Sequence, residues 1–415
     1  MPHSPVAFIW ILSLSSILLM LLRPRGIAVP WWIGGGALLL VLTRLLPIAG
    51  AEHAIREGLD VYLFLIGMML LAETARLEGV FDWIAGIAVS HARGSAARLF
   101  LLIYLAGTIV TIFLSNDATA VVLTPAVLAA VRRAGVQPRS YLLICALIAN
   151  AASFVLPISN PANLVIFDAK MPPLPSWLLV FLLPSLVSVL ATYFILYFLS
   201  RSEVANNIED LPHPPALSDT GRAALAGIGL SAIVLLIASG LGWQLGAPTC
   251  VVGLLAVLIV SFRDRRAALI VVRGVSWSVV PLVAGLFMIV EALNRGGLLQ
   301  IAEWGLQWAA GLHTLVGKLA AGFAVALISN GMNNLPVGLA SGSALRHADL
   351  GGAIRHAVLI GVDLGPNLSV TGSLATILWL IVLRREGVEI TAWEFLKVGM
   401  IVMPVALLLS LLVLF

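Results

Sequence analysis

Two short polar clusters interrupt long apolar stretches of the chain: Ser115-Asn116-Asp117-Ala118-Thr119 and Ser329-Asn330-Gly331-Met332-Asn333-Asn334. Short amides and hydroxyls can satisfy backbone groups freed where a helix breaks. They can equally converge on a small polar solute, and helix N-termini at such a break add unpaired N–H groups. Two further runs have the same character: Asn150, Ser153, Ser159, Asn160 and Asn163, then Asp363, Asn367, Ser369, Thr371, Ser373 and Thr376. Pro157, Pro161 and Pro366 sit among them and remove backbone donors. These runs are either packing kinks or the second wall of a site. Asp117 and Asp363 are ionisable groups beside expected breaks, and a carboxyl group inside an apolar span is a functional candidate. Such a group suits loading and unloading of a proton; the plainer roles are a helix cap for Asp117 and an interhelical hydrogen bond for Asp363. Glu73 is followed by Arg76 and Glu291 by Arg295, spacings that make interfacial ion pairs. All seven histidines are assigned to loops or the N-terminal tail, which leaves no buried histidine proton carrier. There is no P-loop, no HExxH pair, no Cys/His cluster and no G-x-S-x-G elbow. The two cysteines, Cys145 and Cys250, lie in apolar runs and do not make a thiolate metal site. No cofactor is implied.

The elements that position these residues follow from composition. A soluble domain is about a quarter charged, whereas this 415-residue chain is 11% charged and 60% hydrophobic. The expected fold is an all-α polytopic membrane protein. Ten full spans are expected over 5–22, 28–47, 58–77, 139–169, 175–199, 222–241, 247–262, 275–293, 353–384 and 393–415. The runs 139–169 and 353–384 are long because each is interrupted. Stretches 96–133 and 314–347 are apolar arms flanking Ser115-Asn116-Asp117 and Ser329-Asn330-Gly331 and read as re-entrant hairpins, since irregular backbone at membrane depth is tolerated only against protein or a wet cavity. Segments 80–91 and 297–311 are amphipathic and interfacial. The first run has no Lys or Arg before it and reads as a retained span, not a cleaved leader. With hairpins returning to their own side, 17 of the 24 Lys/Arg fall on one side. Arg23, Arg25, Arg132, Arg133, Arg139, Arg263, Arg265, Arg266, Arg384 and Arg385 are among them. That side is expected to be cytoplasmic, with both termini outside. Paired full spans in place of hairpins are the alternative. No long basic run exists, so nucleic acid is not an expected partner.

An internal repeat organises the chain. Leu114-Ser115-Asn116 reappears as Ile328-Ser329-Asn330, Gly67…Glu73…Gly79 as Gly285…Glu291…Gly297, and Asn160-Pro161-Ala162-Asn163 as Ser373-Leu374-Ala375-Thr376. The expected organisation is an N-terminal repeat over 1–200, a polar, proline-containing linker over 201–221 and a C-terminal repeat over 222–415. Five spans per repeat, an odd number, invert the second copy relative to the first. Inverted repeats with paired broken helices place a transport site near the midplane.

At these residues the chain resembles the ArsB-type arsenite efflux permeases, in the superfamily that also holds NhaD-type sodium/proton antiporters. The similarity is carried by Ile360-Gly361-Val362-Asp363-Leu364-Gly365-Pro366, continuing through Gly372-Ser373-Leu374-Ala375-Thr376 to Leu378-Trp379-Leu380. Met332-Asn333-Asn334-Leu335-Pro336 and Asn116-Asp117 with Leu123-Thr124-Pro125 match as well. Two positions depart from that pattern: an acidic residue of the permease is Asn150 here, and a lysine after the Gly-Pro is Asn367. The resemblance implies export of arsenite or antimonite, as the neutral trivalent hydroxide, in exchange for protons across the bacterial inner membrane. It also implies a possible soluble ATPase partner. On this reading Asn116, Thr119, Asn160, Asn163, Asn330, Asn333, Asn334, Ser373 and Thr376 line the site, and Asp117 and Asp363 exchange the proton. A neutral hydroxide needs hydrogen-bonding amides and hydroxyls, not a charged cage. One inward proton supplies about 2.3 kcal/mol per 100 mV. The competing expectations are a sodium/proton antiporter, an integral-membrane enzyme using the two aspartates, and a passive arsenite channel.

Overall fold

The structure is a computed structural model that describes residues 4–167, 171–204, 216–262 and 265–415. Residues 205–215 of the expected linker, the end of the 139–169 span, Arg263, His3 and His213 lie outside the described residues. Every regular element among the described residues is helical. The first half comprises α1 (Ser4–Leu22), α2 (Val29–Leu42), α3 (Ile48–Glu57), α4 (Leu59–Leu77), α5 (Val80–His91), α6 (Ala96–Phe113), α7 (Thr124–Arg133), α8 (Arg139–Ala151), α9 (Pro161–Phe167) and α10 (Leu174–Leu199). A short α11 (Arg201–Val204) precedes the second half. This comprises α12 (Asp219–Gly240), α13 (Gly246–Ser261), α14 (Arg265–Gly274), α15 (Val279–Arg295), α16 (Leu298–Ala310), α17 (Thr314–Met332), α18 (Asn334–His347), α19 (Gly352–Leu364), α20 (Leu374–Arg385) and α21 (Ala392–Leu412).

Among the described residues, seven stretches are long and apolar enough to cross a membrane, and an eighth appears when α3 and α4, bent by 47°, are taken as one span. The difference from ten has a physical origin. α2 and α13 have only 14 and 16 residues, and the two interrupted spans are each split into shorter helices. α6 and α17 have span length, yet the chain turns back after them. Thr119 Oγ1 lies 2.8 Å from Thr111 Oγ1 and 3.4 Å from Gly107 O, so the segment after the first tip runs back along α6. α18 likewise packs along α17.

Packing alternates between the halves. α4 lies along α13 and α15 along α2, while α10 meets α21. The α4–α13 contact is backbone on backbone: a Cβ on Gly253 would fall 2.5 Å from Gly67 O. Only glycine permits that approach. Gly79 and Gly297 take positive φ of 71° and 100° ahead of α5 and α16, so the Gly–Glu–Gly spacing of the sequence ends at the same kind of turn in both halves.

Two expectations are corrected. The second hairpin turns at Asn333 (φ 74°), not at Ser329-Asn330-Gly331, which lie inside α17. Ser329 Oγ donates to Val325 O (2.8 Å) and Asn330 Nδ2 to Ala326 O (2.8 Å), each one turn back, so their polarity is absorbed without breaking the helix. The first tip breaks at Ser115 (φ 136°). Asn116 and Asn334, each the first helical residue after its break, are thus the matching pair, and Asp117 is matched by Leu335. Nor do the described histidines all lie in loops: His53, His91, His347 and His356 belong to α3, α5, α18 and α19, and the His356 ring lies 5.3 Å from that of Phe181.

Candidate functional site

Each interrupted span breaks where proline removes a donor and a side chain caps the restart. α8 ends at Ala151, a 3-10 turn covers Pro157–Ser159, and α9 begins at Pro161. Asn160 accepts from Ala162 N (3.0 Å) as its cap. In the second half, 3-10 turns over Gly365–Asn367 and Val370–Gly372 separate α19 from α20, and Ser373 accepts from Thr376 N (3.1 Å). Asn160 and Ser373, paired in the sequence repeat, thus hold equivalent positions.

The two breaks meet. Asp363, wholly buried, accepts from Ser153 Oγ (2.7 Å) and from Asn160 Nδ2 (2.8 Å). Asn150 Nδ2 donates to Asn367 Oδ1 (3.0 Å), and Asn367 Nδ2 donates to Leu147 O (3.0 Å). Asn150 and Asn367 are the two positions that depart from the permease pattern, and they touch each other. Where the resemblance implies an acid and a lysine, a single hydrogen bond joins two amides.

A small cavity of about 30 Å³ lies beside this cluster, lined by Asn116, Asp117, Asn160, Asn334 and Ser373, with apolar walls from Leu65 on α4 and Val279 and Val283 on α15. It is large enough for about one water molecule. First residues of four helical segments border it, and no Lys or Arg is among its lining residues. Leu65, Asp117, Pro161 and Val279 also line an open vestibule of about 260 Å³. Met68, Glu73, Arg76 and Arg385 lie further out along the vestibule. One turn along α4, α15 and α18 in the other direction, Val61, Phe287 and Leu339 line a recess of only about 40 Å³. A larger apolar cavity of about 340 Å³ between α16, α17 and α18 contains Trp304 and Trp308 and none of the polar cluster.

Of the expected site residues, Asn116, Asp117, Asn160, Asn334 and Ser373 share this cavity. The others are turned elsewhere. Thr119 bonds within the first hairpin. Asn163 Nδ2 donates to the carbonyls of Ser153 (3.0 Å), Leu156 (3.4 Å) and Pro157 (3.3 Å), closing the break. Asn330 Nδ2 also donates to Gly365 O (3.0 Å) and its Oδ1 accepts from Ser369 Oγ (2.6 Å); Asn333 Nδ2 reaches Thr371 O (3.4 Å). Thr376 Oγ1 pairs with Ser373 Oγ at 2.7 Å. Asp363 lies behind the cavity, touching it through Asn160. The apolar walls were missed; the paired Gly67 and Gly285 mark α4 and α15 but not the residues they aim inward. The expected ion pairs are present, Arg76 with Glu73 and Arg295 Nε with Glu291 Oε1 at 2.7 Å.

This division of labour predicts different consequences for two asparagines. Asn163→Leu leaves three buried carbonyls without their donor, and each unsatisfied group costs about 1–3 kcal/mol; thermal stability in detergent is expected to fall sharply. Asn334→Ala removes an amide that has no hydrogen-bond partner among the described residues, so stability is expected to hold while transport drops.

The family described as CitMHS: Citrate transporter matches residues 10–362. The arsenical pump membrane protein of Escherichia coli K12 is 26% identical over 408 residues, covering 93% of each chain. That of Yersinia enterocolitica is 25% identical, also over 93% of each. An uncharacterised transporter of Mycobacterium tuberculosis is 27% identical over 85% of this chain and 84% of its own. Among solved structures, the YdaH transporter of Alcanivorax borkumensis, described as having an unusual topology, matches with a TM-score of 0.57 at 16% identity. The match covers 100% of this chain and 98% of that one.

Proposed function

Since the chain belongs to the CitMHS citrate transporter family, and is thereby a multi-pass membrane transporter, we propose that it exports arsenite or antimonite as the neutral hydroxide in exchange for protons. The observation that carries this reading is the lining of the small cavity: amides, a hydroxyl and one carboxyl group, with no cation among them. A tricarboxylate would meet Asp117 without a compensating Lys or Arg. A neutral trihydroxide both donates and accepts hydrogen bonds, which Asn116, Asn334, Ser373 and Asp117 can answer. The arsenical pump relatives support the same substrate class.

In this proposal the two halves are inverted copies, both termini lie outside, and the vestibule bordered by Arg385 faces the cytoplasm. Substrate enters there and reaches the cavity past Leu65 and Asp117. The recess on the far side is nearly closed, and exchange of open and closed between the two completes the cycle. Asp117 is the proton-exchanging group, because it alone of the two aspartates lines both vestibule and cavity. Asp363 instead positions Asn160, tying the cavity wall to the opposing broken span. Everted membrane vesicles test the reading. An imposed inward-acid gradient is expected to drive arsenite uptake, and an uncoupler to stop it. Uptake indifferent to the gradient would remove the antiport claim, and a sodium requirement would favour the sodium/proton rival.

A further inference from the structure

Four residues line both the open vestibule and the small cavity: Leu65 of α4, Asp117, Pro161 and Val279 of α15. They form the neck at which the two spaces adjoin. Leu65 and Val279 are 4% and 6% exposed, and neither side chain can donate or accept a hydrogen bond. Pro161 has no backbone N–H to offer, so Asp117 supplies the polar side chain of the four. The apolar character extends beyond the neck. Val61, Leu65 and Met69 follow at spacings of four on α4, as do Val279, Val283 and Phe287 on α15, so each set shares one helical face. These faces run from the recess past the cavity to the vestibule. Charged side chains of the two helices join the lining only at its ends, Asp60 and Glu291 at the recess, Glu73 and Arg76 at the vestibule. The register that pairs Gly67 with Gly285 also pairs Leu65 with Val283 and Val279 with Val61. Val283 lines the cavity and Val61 the recess, so an apolar step stands on the approach from either side.

The opposite wall of the cavity has the converse character. Asn116, Asp117, Asn160, Asn334 and Ser373 bring side-chain oxygens to it, and hard cations take oxygen ligands. Nothing in that set by itself refuses sodium. A hydrated sodium ion coming from the vestibule meets the neck first, and the water it sheds there finds no replacement on the Leu65 and Val279 side. Apolar constrictions close to ions in this way, by dewetting. An uncharged trihydroxide loses far less on the same passage, and a proton reaches Asp117 directly from vestibule water.

We propose that Leu65 and Val279 form an apolar filter that admits uncharged solutes to the cavity and bars hydrated cations. The filter stands on the geometry of the neck, and its bearing on arsenite rests on the transport reading. The purified protein would be reconstituted in proteoliposomes and compared with the Leu65→Asn/Val279→Thr variant, which makes the neck polar at nearly constant side-chain size. Leu65→Met/Val279→Ile, which keeps the neck apolar, is the control. Two readouts apply: uptake of radioactive sodium, and uptake of arsenite with either sodium or choline chloride outside. The parent and the apolar control are expected to exclude sodium. The polar variant is expected to raise sodium uptake over the parent by roughly five-fold for each hydrogen-bonding group added. Sodium is expected to inhibit arsenite uptake by the polar variant and not by the parent. Val279→Thr alone exchanges a methyl for a hydroxyl, and is expected to show the single step where the double variant does not reach the membrane. Sodium exclusion by both polar variants overturns the filter, as does sodium uptake by the parent equal to theirs. Sodium entering the apolar control as fast as the polar variant also overturns it, since loosened packing would then be the cause. Sodium uptake gained by the polar variants, with no arsenite uptake by any of the proteins, supports the filter and counts against the transport reading.

Discussion

Asp117→Asn is expected to abolish proton-driven accumulation of arsenite while leaving downhill equilibration and substrate exchange in place. The side chain keeps its size and its hydrogen-bonding ability but loses its titrating group. Asp117 sits at the junction of the open vestibule and the small cavity, within reach of both water and solute. Without an exchangeable proton, the 2.3 kcal/mol that each proton gains per 100 mV is no longer available to the solute. Arsenite then reaches its equilibrium distribution and stops. In everted vesicles the variant is expected to show uptake that an uncoupler does not change, with steady-state accumulation falling by roughly the fifty-fold that 2.3 kcal/mol represents. Folding is expected to survive, since the carboxyl oxygens have no partner to lose among the described residues. Retained uphill accumulation would move the proton role away from Asp117. Loss of both accumulation and downhill movement would mean that Asp117 is needed to bind the solute and not only to couple it.

The parts of this arrangement that could be read along the chain are those governed by local backbone chemistry. Pro157, Pro161 and Pro366 announce interruptions because a missing donor acts at its own position, and Asn160 and Ser373 fall at the restarts because a cap acts on the next turn. The second tip was misplaced because Ser329-Asn330 copies Ser115-Asn116 in letters while its side chains bond back to Val325 and Ala326 and let the helix run on. The break came at Asn333, where φ is positive. The direction of a polar side chain was less legible still. Asn160 caps α9 and Asn163 lies three residues on within it, yet one lines the cavity and the other closes the carbonyls of the preceding turn. The pairing of Asn150 with Asn367 spans 217 residues of sequence and depends on two breaks meeting in space. No local pattern records such a contact.

That contact yields the second large expected effect. Asn150 and Asn367 are wholly buried, and Asp363 lies one helical turn before Asn367. Asn150→Asp alone adds a second carboxylate to a cluster that already contains one, with no cation to meet it. An unpaired buried charge costs about 3–5 kcal/mol, so the variant is expected to be poorly folded or absent from the membrane. Asn367→Lys alone places an ammonium group near Asp363 and is expected to be better tolerated. It should, however, draw Asp363 away from Ser153 and Asn160 and lower transport by disturbing the cavity wall. The double variant puts the acid and the cation on the two residues that already touch at 3.0 Å. It is expected to recover most of the stability lost by Asn150→Asp, a coupling of a few kcal/mol read by a double-mutant cycle of thermal unfolding in detergent. Full additivity of the two single effects would mean that the pair does not act as a unit. Recovery of stability together with uptake would mean that the amide bridge and an ion pair perform the same positioning work, holding the two broken spans together behind Asp363. Recovery of stability without uptake would mean that this cluster must remain neutral for the spans to move.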